Sequence, residues 1–262
     1  MITHPNCKIN LGLHVVGKRP DGYHDLETIF IPVHDFCDEL EITPATTNSP
    51  FPTIIQEGIA LDNNPDDNLC MKAWQLLNNA FSIPPVQMRL KKNIPFGAGL
   101  GGGSSDAAFT IKMLNEMFSL NLTAEAMESY AARIGADCPF FIGNQAAYAT
   151  GIGDELTPVD FDFQKLGLKV VVELPEGEHV STREAYANIR IKDRKSRPDL
   201  REAIFRPITE WRDLVINDFE DSVFPAHSAI AALKEDMYNR GACYASMTGS
   251  GAAVFGVFKI NQ

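Results

Sequence analysis

Fourteen residues near the middle of the chain have the types and spacing of a phosphate cradle: Pro95-Phe96-Gly97-Ala98-Gly99-Leu100-Gly101-Gly102-Gly103-Ser104-Ser105-Asp106-Ala107-Ala108. Five glycines fall within seven positions, and the run passes directly into a helix-forming segment. Glycine lets backbone adopt positive φ and come close to a ligand. A helix start adds unpaired N–H groups and the positive end of a dipole, and the two together hold anions, phosphate above all. The hydroxyls of Ser104 and Ser105 stand at the join, where they can bond phosphate oxygens or face a metal ion. Asp106 places a carboxylate at the same join. The helix dipole favours it there and a bound phosphate opposes it, so its role is open at this level.

The spacing alone does not decide which phosphate loop this is. Gly97, Gly99 and Gly102 satisfy G-x-G-x-x-G. A dinucleotide fold wants that pattern after the first strand of a βαβ unit, with an acidic residue about 20 positions on. Here the acidic candidates Glu116 and Glu125 fall inside helix-like segments, which disfavours an NAD-binding oxidoreductase. A Walker loop needs Gly-Lys-Ser or Gly-Lys-Thr, and the chain has neither. A tight turn without function needs neither five glycines nor two serines.

The elements that must position this loop can be read from periodicity. Residues 7–16 alternate in part (Ile9, Leu11, Leu13, Val15) and predict a strand, broken by turn chemistry at residues 17–22. Further strands are expected at 26–33, 38–43 and 86–90, with a loop at 44–52. Helical spacing covers 68–81, 106–117 and 123–134, the last capped by Thr123. Beyond these come a strand at 168–174, a helix start at 181–188, a charged surface loop at 192–199 and a mostly helical stretch at 221–238. A second small-residue turn, Thr248-Gly249-Ser250-Gly251, leads into a strand at 252–258. Strands and helices mix rather than alternate, which predicts an α+β fold. Two domains are expected, 1–158 and 159–262.

Bulk properties exclude several classes. Of 262 residues, 45% are hydrophobic, enough for a sizeable core. The net charge of −11 argues against nucleic acid as the main partner. The five cysteines form no C-x-x-C pair, which argues against a zinc ribbon or a disulfide scaffold and fits a reducing cytoplasm. No apolar run approaches the roughly 20 residues that cross a bilayer, and no signal pattern opens the chain, so neither a membrane nor an exported setting is expected.

The loop resembles the phosphate loop of the GHMP kinases. Lys8-Ile9-Asn10-Leu11-Gly12-Leu13-His14-Val15 is similar to that superfamily's N-terminal motif, and Met247-Thr248-Gly249-Ser250-Gly251-Ala252-Ala253-Val254-Phe255-Gly256 to its C-terminal one. Three further segments narrow the likeness to the branch that acts on a cytidyl diphosphate substrate in the non-mevalonate route to isoprenoid precursors. They are Arg19-Pro20-Asp21-Gly22-Tyr23-His24-Asp25-Leu26, Gly135-Ala136-Asp137-Cys138-Pro139-Phe140-Phe141 and Ser181-Thr182-Arg183-Glu184-Ala185-Tyr186. The alternatives are a mevalonate-type or homoserine-type kinase, or a GHMP-fold binding protein without activity.

The resemblance implies a ribosomal-S5-like N-terminal domain and a ferredoxin-like C-terminal domain. It implies ATP as co-substrate, accompanied by Mg²⁺, with no residue assigned as a metal ligand. Pro95, Gly97, Gly99, Leu100, Gly101, Gly102, Gly103, Ser104 and Ser105 would bind ATP, and Gly249, Ser250 and Gly251 would bring in a second loop. Asp137, which taken alone reads as a helix-end or turn aspartate, becomes the base. Lys8, which taken alone reads as an edge lysine, becomes its electrostatic partner. Asn10, Tyr23, His24, Thr182 and Tyr186 would bind the substrate, with aromatic rings stacking on cytosine. The partner is thus a small molecule, and the enzyme a cytoplasmic monomer or homodimer.

Overall fold

The computed structural model describes residues 1–45, 51–59, 67–192 and 197–260. The expected loops at 44–52 and 192–199 therefore fall partly outside the described residues. Among these residues the strands, in chain order, are β1 (Ile2–Thr3), β2 (Asn6–Lys18), β3 (His24–Cys37), β4 (Glu39–Pro44), β5 (Thr53–Gly58), β6 (Val86–Lys92), β7 (Ala147–Thr150), β8 (Glu155–Pro158), β9 (Leu168–Glu173), β10 (Tyr244–Met247) and β11 (Val254–Lys259). The α-helices are α1 (Leu69–Phe81), α2 (Gly102–Met117), α3 (Ala124–Ala132), α4 (Cys138–Gly143), α5 (Thr182–Ala187), α6 (Leu200–Ala203), α7 (Trp211–Leu214), α8 (Phe219–Val223) and α9 (Ser228–Asn239). The strands form sheets of order β1-β4-β6-β5, β2-β3-β7-β8 and β10-β11-β9. β5 runs parallel to β6, whereas β4–β6, β3–β7 and β9–β11 are antiparallel. The fold is α+β. No helix of the described residues is long and apolar enough to cross a membrane.

Compactness divides the chain into two interleaved units. One comprises Met1–Cys7, His34–Phe96 and Gly101–Asn144, the other Lys8–Val33, Gly97–Leu100 and Gln145–Gln262. This differs from a cut of the sequence after residue 158, since residues 145–158 and 8–33 group with the C-terminal part.

In the first unit, α1 starts where Asn68 Oδ1 accepts the Cys70 N–H at 2.8 Å, and it buries Cys70, Ala73, Trp74 and Leu77 at helical spacing. β6 alternates, with Val86, Met88, Leu90 and then Lys92 buried. α2 begins at Gly102, four residues before the start expected at Asp106. Gly101 stands in the left-handed region at φ +69°, and Gly102 packs where a Cβ would lie 2.8 Å from Ile94 Cγ2. α3 is shorter than expected, because its last N–H groups, of Arg133 and Ile134, turn back to the carbonyls three residues earlier.

In the second unit, β2 is buried on both faces: Ile9, Leu11, Leu13 and Val15 on one, Lys8, Asn10 and His14 on the other. Leu13 and Val15 join a core with Val180, Ala185, Phe219, Val223, Ile230 and Met247. The mostly helical stretch expected over 221–238 holds two helices. Pro225 follows α8, lacks an N–H and cannot continue it. The expectation of a solvated charged loop at 192–199 also needs correction at its end. Arg197 is only 7% exposed and its Nη1 bonds Asp218 Oδ2 at 2.5 Å. The same Asp218 oxygen accepts the Val15 N–H at 2.8 Å, so the arginine belongs to the support of β2.

Candidate functional site

Lys8 is 4% exposed, although it lies in a strand core where an edge lysine would reach water. Its ammonium donates to Asn10 Oδ1 at 2.7 Å and to the Gly99 carbonyl at 3.1 Å, and it lies 4.8 Å from the centre of the Phe30 ring. Its backbone N–H donates to Leu100 O at 3.0 Å. β2 is thus stitched to the Gly97–Leu100 half of the glycine loop, and the cation points at that loop.

Asn10, expected to meet substrate, spends much of its amide inside the unit. Oδ1 accepts from Lys8, and Nδ2 donates to Thr28 Oγ1 at 3.1 Å. It orients Lys8. Thr248, which the sequence did not single out as a site residue, completes the arrangement. Its hydroxyl accepts the Asn10 N–H at 3.0 Å and lies 3.2 Å from the Gly99 carbonyl. Its sequence signal was its place in the Thr248-Gly249-Ser250-Gly251 turn of the C-terminal motif.

That turn is the second loop, and it packs against the first. Ala253 N–H donates to Ala98 O at 3.2 Å. Gly99 sits at φ +76°, where a Cβ would lie 2.1 Å from Thr248 O, so no side chain fits. Asn217 Nδ2 holds the turn from behind through the carbonyls of Met247 and Gly249, at 2.7 and 2.9 Å.

The aromatic residues are also in this unit. His24 stacks on Tyr186, with ring centres 4.5 Å apart and planes 19° from parallel, and Tyr186 meets the edge of Phe219. Two of the rings expected to stack on cytosine therefore lie on each other. Tyr23 stands apart with its side of the turn exposed, at 60%. Burial, with Lys18 nearby, lowers the His24 pKa and so favours its neutral ring. Thr182 is the first residue of α5 and exposed, while the capping bond is made by Ser181, whose hydroxyl accepts the Glu184 N–H at 3.1 Å. Thr182 is thereby not needed as the cap. His14, on the polar face of β2, is pushed down to about 4 by burial and by Arg197 beside it.

The first unit holds the other half of the loop. Gly101, the N-cap of α2, has no side chain, so no side-chain cap covers the first-turn N–H groups of that helix. The Ser105 hydroxyl is buried without a partner. Ser104 lies against the Gly135–Cys138 turn, with its hydroxyl 4.0 Å from where a Gly135 Cβ would be, and it tempers the rise that burial imposes on the Cys138 thiol pKa. Asp137 is the N-cap of α4 and half-buried, but its carboxylate makes no capping bond. The helix start instead carries Pro139, which needs no N–H acceptor. Asp106 does not face the loop's N–H groups. Its carboxylate turns inward to Lys92 Nζ at 2.7 Å.

The chain matches the family model for the GHMP kinases N terminal domain over residues 68–151 and that for GHMP kinases C terminal over residues 197–261. It is 48% identical over 259 residues to a 4-diphosphocytidyl-2-C-methyl-D-erythritol kinase of Azobacteroides pseudotrichonymphae, covering 99% of this chain and 94% of that one. It is 49% identical to the protein of the same name from Bacteroides thetaiotaomicron, covering 99% and 92%. Among solved structures, a 4-(cytidine 5'-diphospho)-2C-methyl-D-erythritol kinase superposes with a TM-score of 0.80 at 30% identity, over 98% of this chain and 89% of that one. The mevalonate kinase of Methanococcus jannaschii shares the fold, with a TM-score of 0.67 at 17% identity over 98% and 90%. The chain belongs to the 4-diphosphocytidyl-2-C-methyl-D-erythritol kinase family of the GHMP kinases.

Proposed function

We propose that the chain transfers the γ-phosphate of ATP to the 2-hydroxyl of 4-diphosphocytidyl-2-C-methyl-D-erythritol, a step of the non-mevalonate route to isoprenoid precursors. The observation that carries the geometric side of this reading is Lys8, a buried ammonium held by Asn10 and bonded to the carbonyl of Gly99 in the glycine loop. Phosphoryl transfer is mostly a matter of positioning and charge neutralisation. The loop residues Pro95, Gly97, Gly99, Leu100, Gly101, Gly102 and Gly103, with Ser104 and Ser105, hold the phosphates through backbone N–H and hydroxyl groups. The second loop, Gly249 to Gly251, keeps the first in shape. The substrate oxygen attacks the γ-phosphorus, the bond to the β,γ-bridging oxygen breaks, ADP leaves, and Asp137 takes the hydroxyl proton late in the step. Lys8 stabilises the charge that develops on the transferring group.

The substrate's cytosine is recognised by the exposed ring of Tyr23 and by the His24–Tyr186 pair. Thr182 and the remaining amide hydrogen of Asn10 bond the rest of the substrate. Among the described residues no group of three or more His, Cys, Asp or Glu side chains could hold a metal ion. Mg²⁺ would accompany ATP, with Ser104 or Ser105 offering it a hydroxyl oxygen, and when bound it would neutralise phosphate charge. The sequence division 1–158 and 159–262 is kept as the proposed domain assignment, and the two matched family segments fall on either side of it. The enzyme works in the cytoplasm as a monomer or homodimer.

An ATP-consumption assay tests the reading. ATP is expected to be consumed with the cytidyl substrate and not with mevalonate or homoserine. Consumption with mevalonate alone overturns the assignment.

A further inference from the structure

Lys92 ends β6 at the inward register of Val86, Met88 and Leu90, and it is 3% exposed. Its ammonium bonds two carboxylates: that of Asp38, between β3 and β4, and that of Asp106, early in α2, the latter at 2.7 Å. Asp38 is fully used, because Oδ1 also accepts the N–H groups of Asn93 and Ile94 at 2.6 and 2.8 Å. Asp106 is not. Its Oδ1 is buried with no partner. Two carboxylates thus share one ammonium out of water, and if both are ionised one negative charge is in excess. A buried carboxylate oxygen without a donor disfavours the ionised form. Gly102, the first residue of α2, lies directly over this cluster: a Cβ there would be 3.3 Å from Lys92 Nζ. The cluster therefore sits behind the turn whose N–H groups the proposed function assigns to ATP phosphates.

We propose that Asp106 is a positioning residue for ATP acting through Lys92: the Asp38–Lys92–Asp106 cluster holds the first turn of α2, and its net charge sets how tightly that turn holds phosphate. This inference rests on the ATP-kinase reading. With Asp106 protonated the cluster is neutral, and with Asp106 ionised it carries one negative charge behind the phosphates. Burial pushes the Asp106 carboxyl up to about 7, with Lys92 pulling it down and Asp38 adding to the rise. Lys92 stays charged, because the two carboxylates outweigh its own burial. The third titratable group facing Asp106 is the Cys70 thiol of α1, which burial keeps protonated. The sign follows: ATP affinity is highest below the Asp106 pKa and falls as pH rises through it.

Affinity for a non-hydrolysable ATP analogue with Mg²⁺ is measured by calorimetry from about pH 6 to about pH 8.5 in wild type and Asp106→Asn. The amide keeps the contact to Lys92 but does not titrate. The wild type is expected to weaken on the order of fivefold relative to the variant across this range. Titration of the analogue's own phosphates is common to both and cancels in the ratio. Parallel profiles, with only a lower melting temperature in the variant, make Asp106 merely structural and overturn the inference. If Asp106→Asn does not fold, carboxyl carbon NMR of the wild type decides. Bound analogue must raise the Asp106 titration midpoint, and an unmoved midpoint overturns the inference. Absence of analogue binding by the wild type overturns the kinase reading itself.

Discussion

Asp137 occupies a position that normally serves its own helix. An aspartate at an N-cap stabilises a helix by accepting an N–H two or three residues on. Here the backbone at φ −79° and ψ −16° is already helical, and the side chain makes no such bond. Asp137→Asn therefore loses no capping bond, and the isosteric amide should leave a cooperative thermal transition in place. The same change should lower kcat by roughly 10²- to 10⁴-fold, because an amide cannot take the proton. Thermal unfolding and the ATP-consumption assay read the two effects separately, and turnover near wild type removes Asp137 from the base role. The residue type and its neighbour Pro139 were legible in the sequence. The absence of a capping bond was not, since it depends on the local φ and ψ. Asn10 shows the opposite case: a residue expected to meet substrate turns much of its amide to orienting Lys8.

At the scale of elements, the glycine loop and the Thr248–Gly251 turn form one backbone-on-backbone contact. Gly99 illustrates its cost. An alanine there meets both a positive φ and a Cβ position 2.1 Å from Thr248 O. Gly99→Ala should destabilise by at least about 2 kcal/mol, from the left-handed penalty and the displaced carbonyl. Gly103 lies inside α2 without a positive φ, and a Cβ there meets only Leu69 Cδ1 at 3.6 Å. Gly103→Ala should leave stability unchanged or raise it by about 0.5–1 kcal/mol through helix propensity. Denaturant melts of the two variants check the contrast, and equal losses would mean that the loop's glycines act by composition rather than by position. The strand after the second turn was readable from its apolar run. The contact itself was not, because Ala98 and Ala253 lie far apart in the chain and no local pattern links them.

At the scale of the molecule, the chain returns repeatedly to each compact unit. The core around Phe219, Val223, Ile230 and Met247 is completed by Leu13 and Val15 of β2. β2 is also held by Asp218 through the Val15 N–H. A fragment spanning 159–262 lacks those residues and should fail to fold alone, as judged by the absence of a cooperative thermal transition in circular dichroism. A cooperative transition would show that β2 is dispensable to that core.

Contacts within a few residues of each position are written in the order of the amino acids. The cap by Thr123, the alternation of β6 and the glycine-rich approach to α2 all follow from local sterics, periodicity and short-range hydrogen bonding. The resemblance of six motifs then named the chemistry. Only the tertiary structure decided the partner of each buried polar group. Lys8 reaches Gly99 across 91 residues, Asn10 reaches Thr248 across 238, and Lys92 reaches Asp106 across 14 and Asp38 across 54. The physical reason is that a buried charge or amide is costly unless paired. The pairing is set by whichever element the fold brings alongside, which neither spacing nor composition encodes.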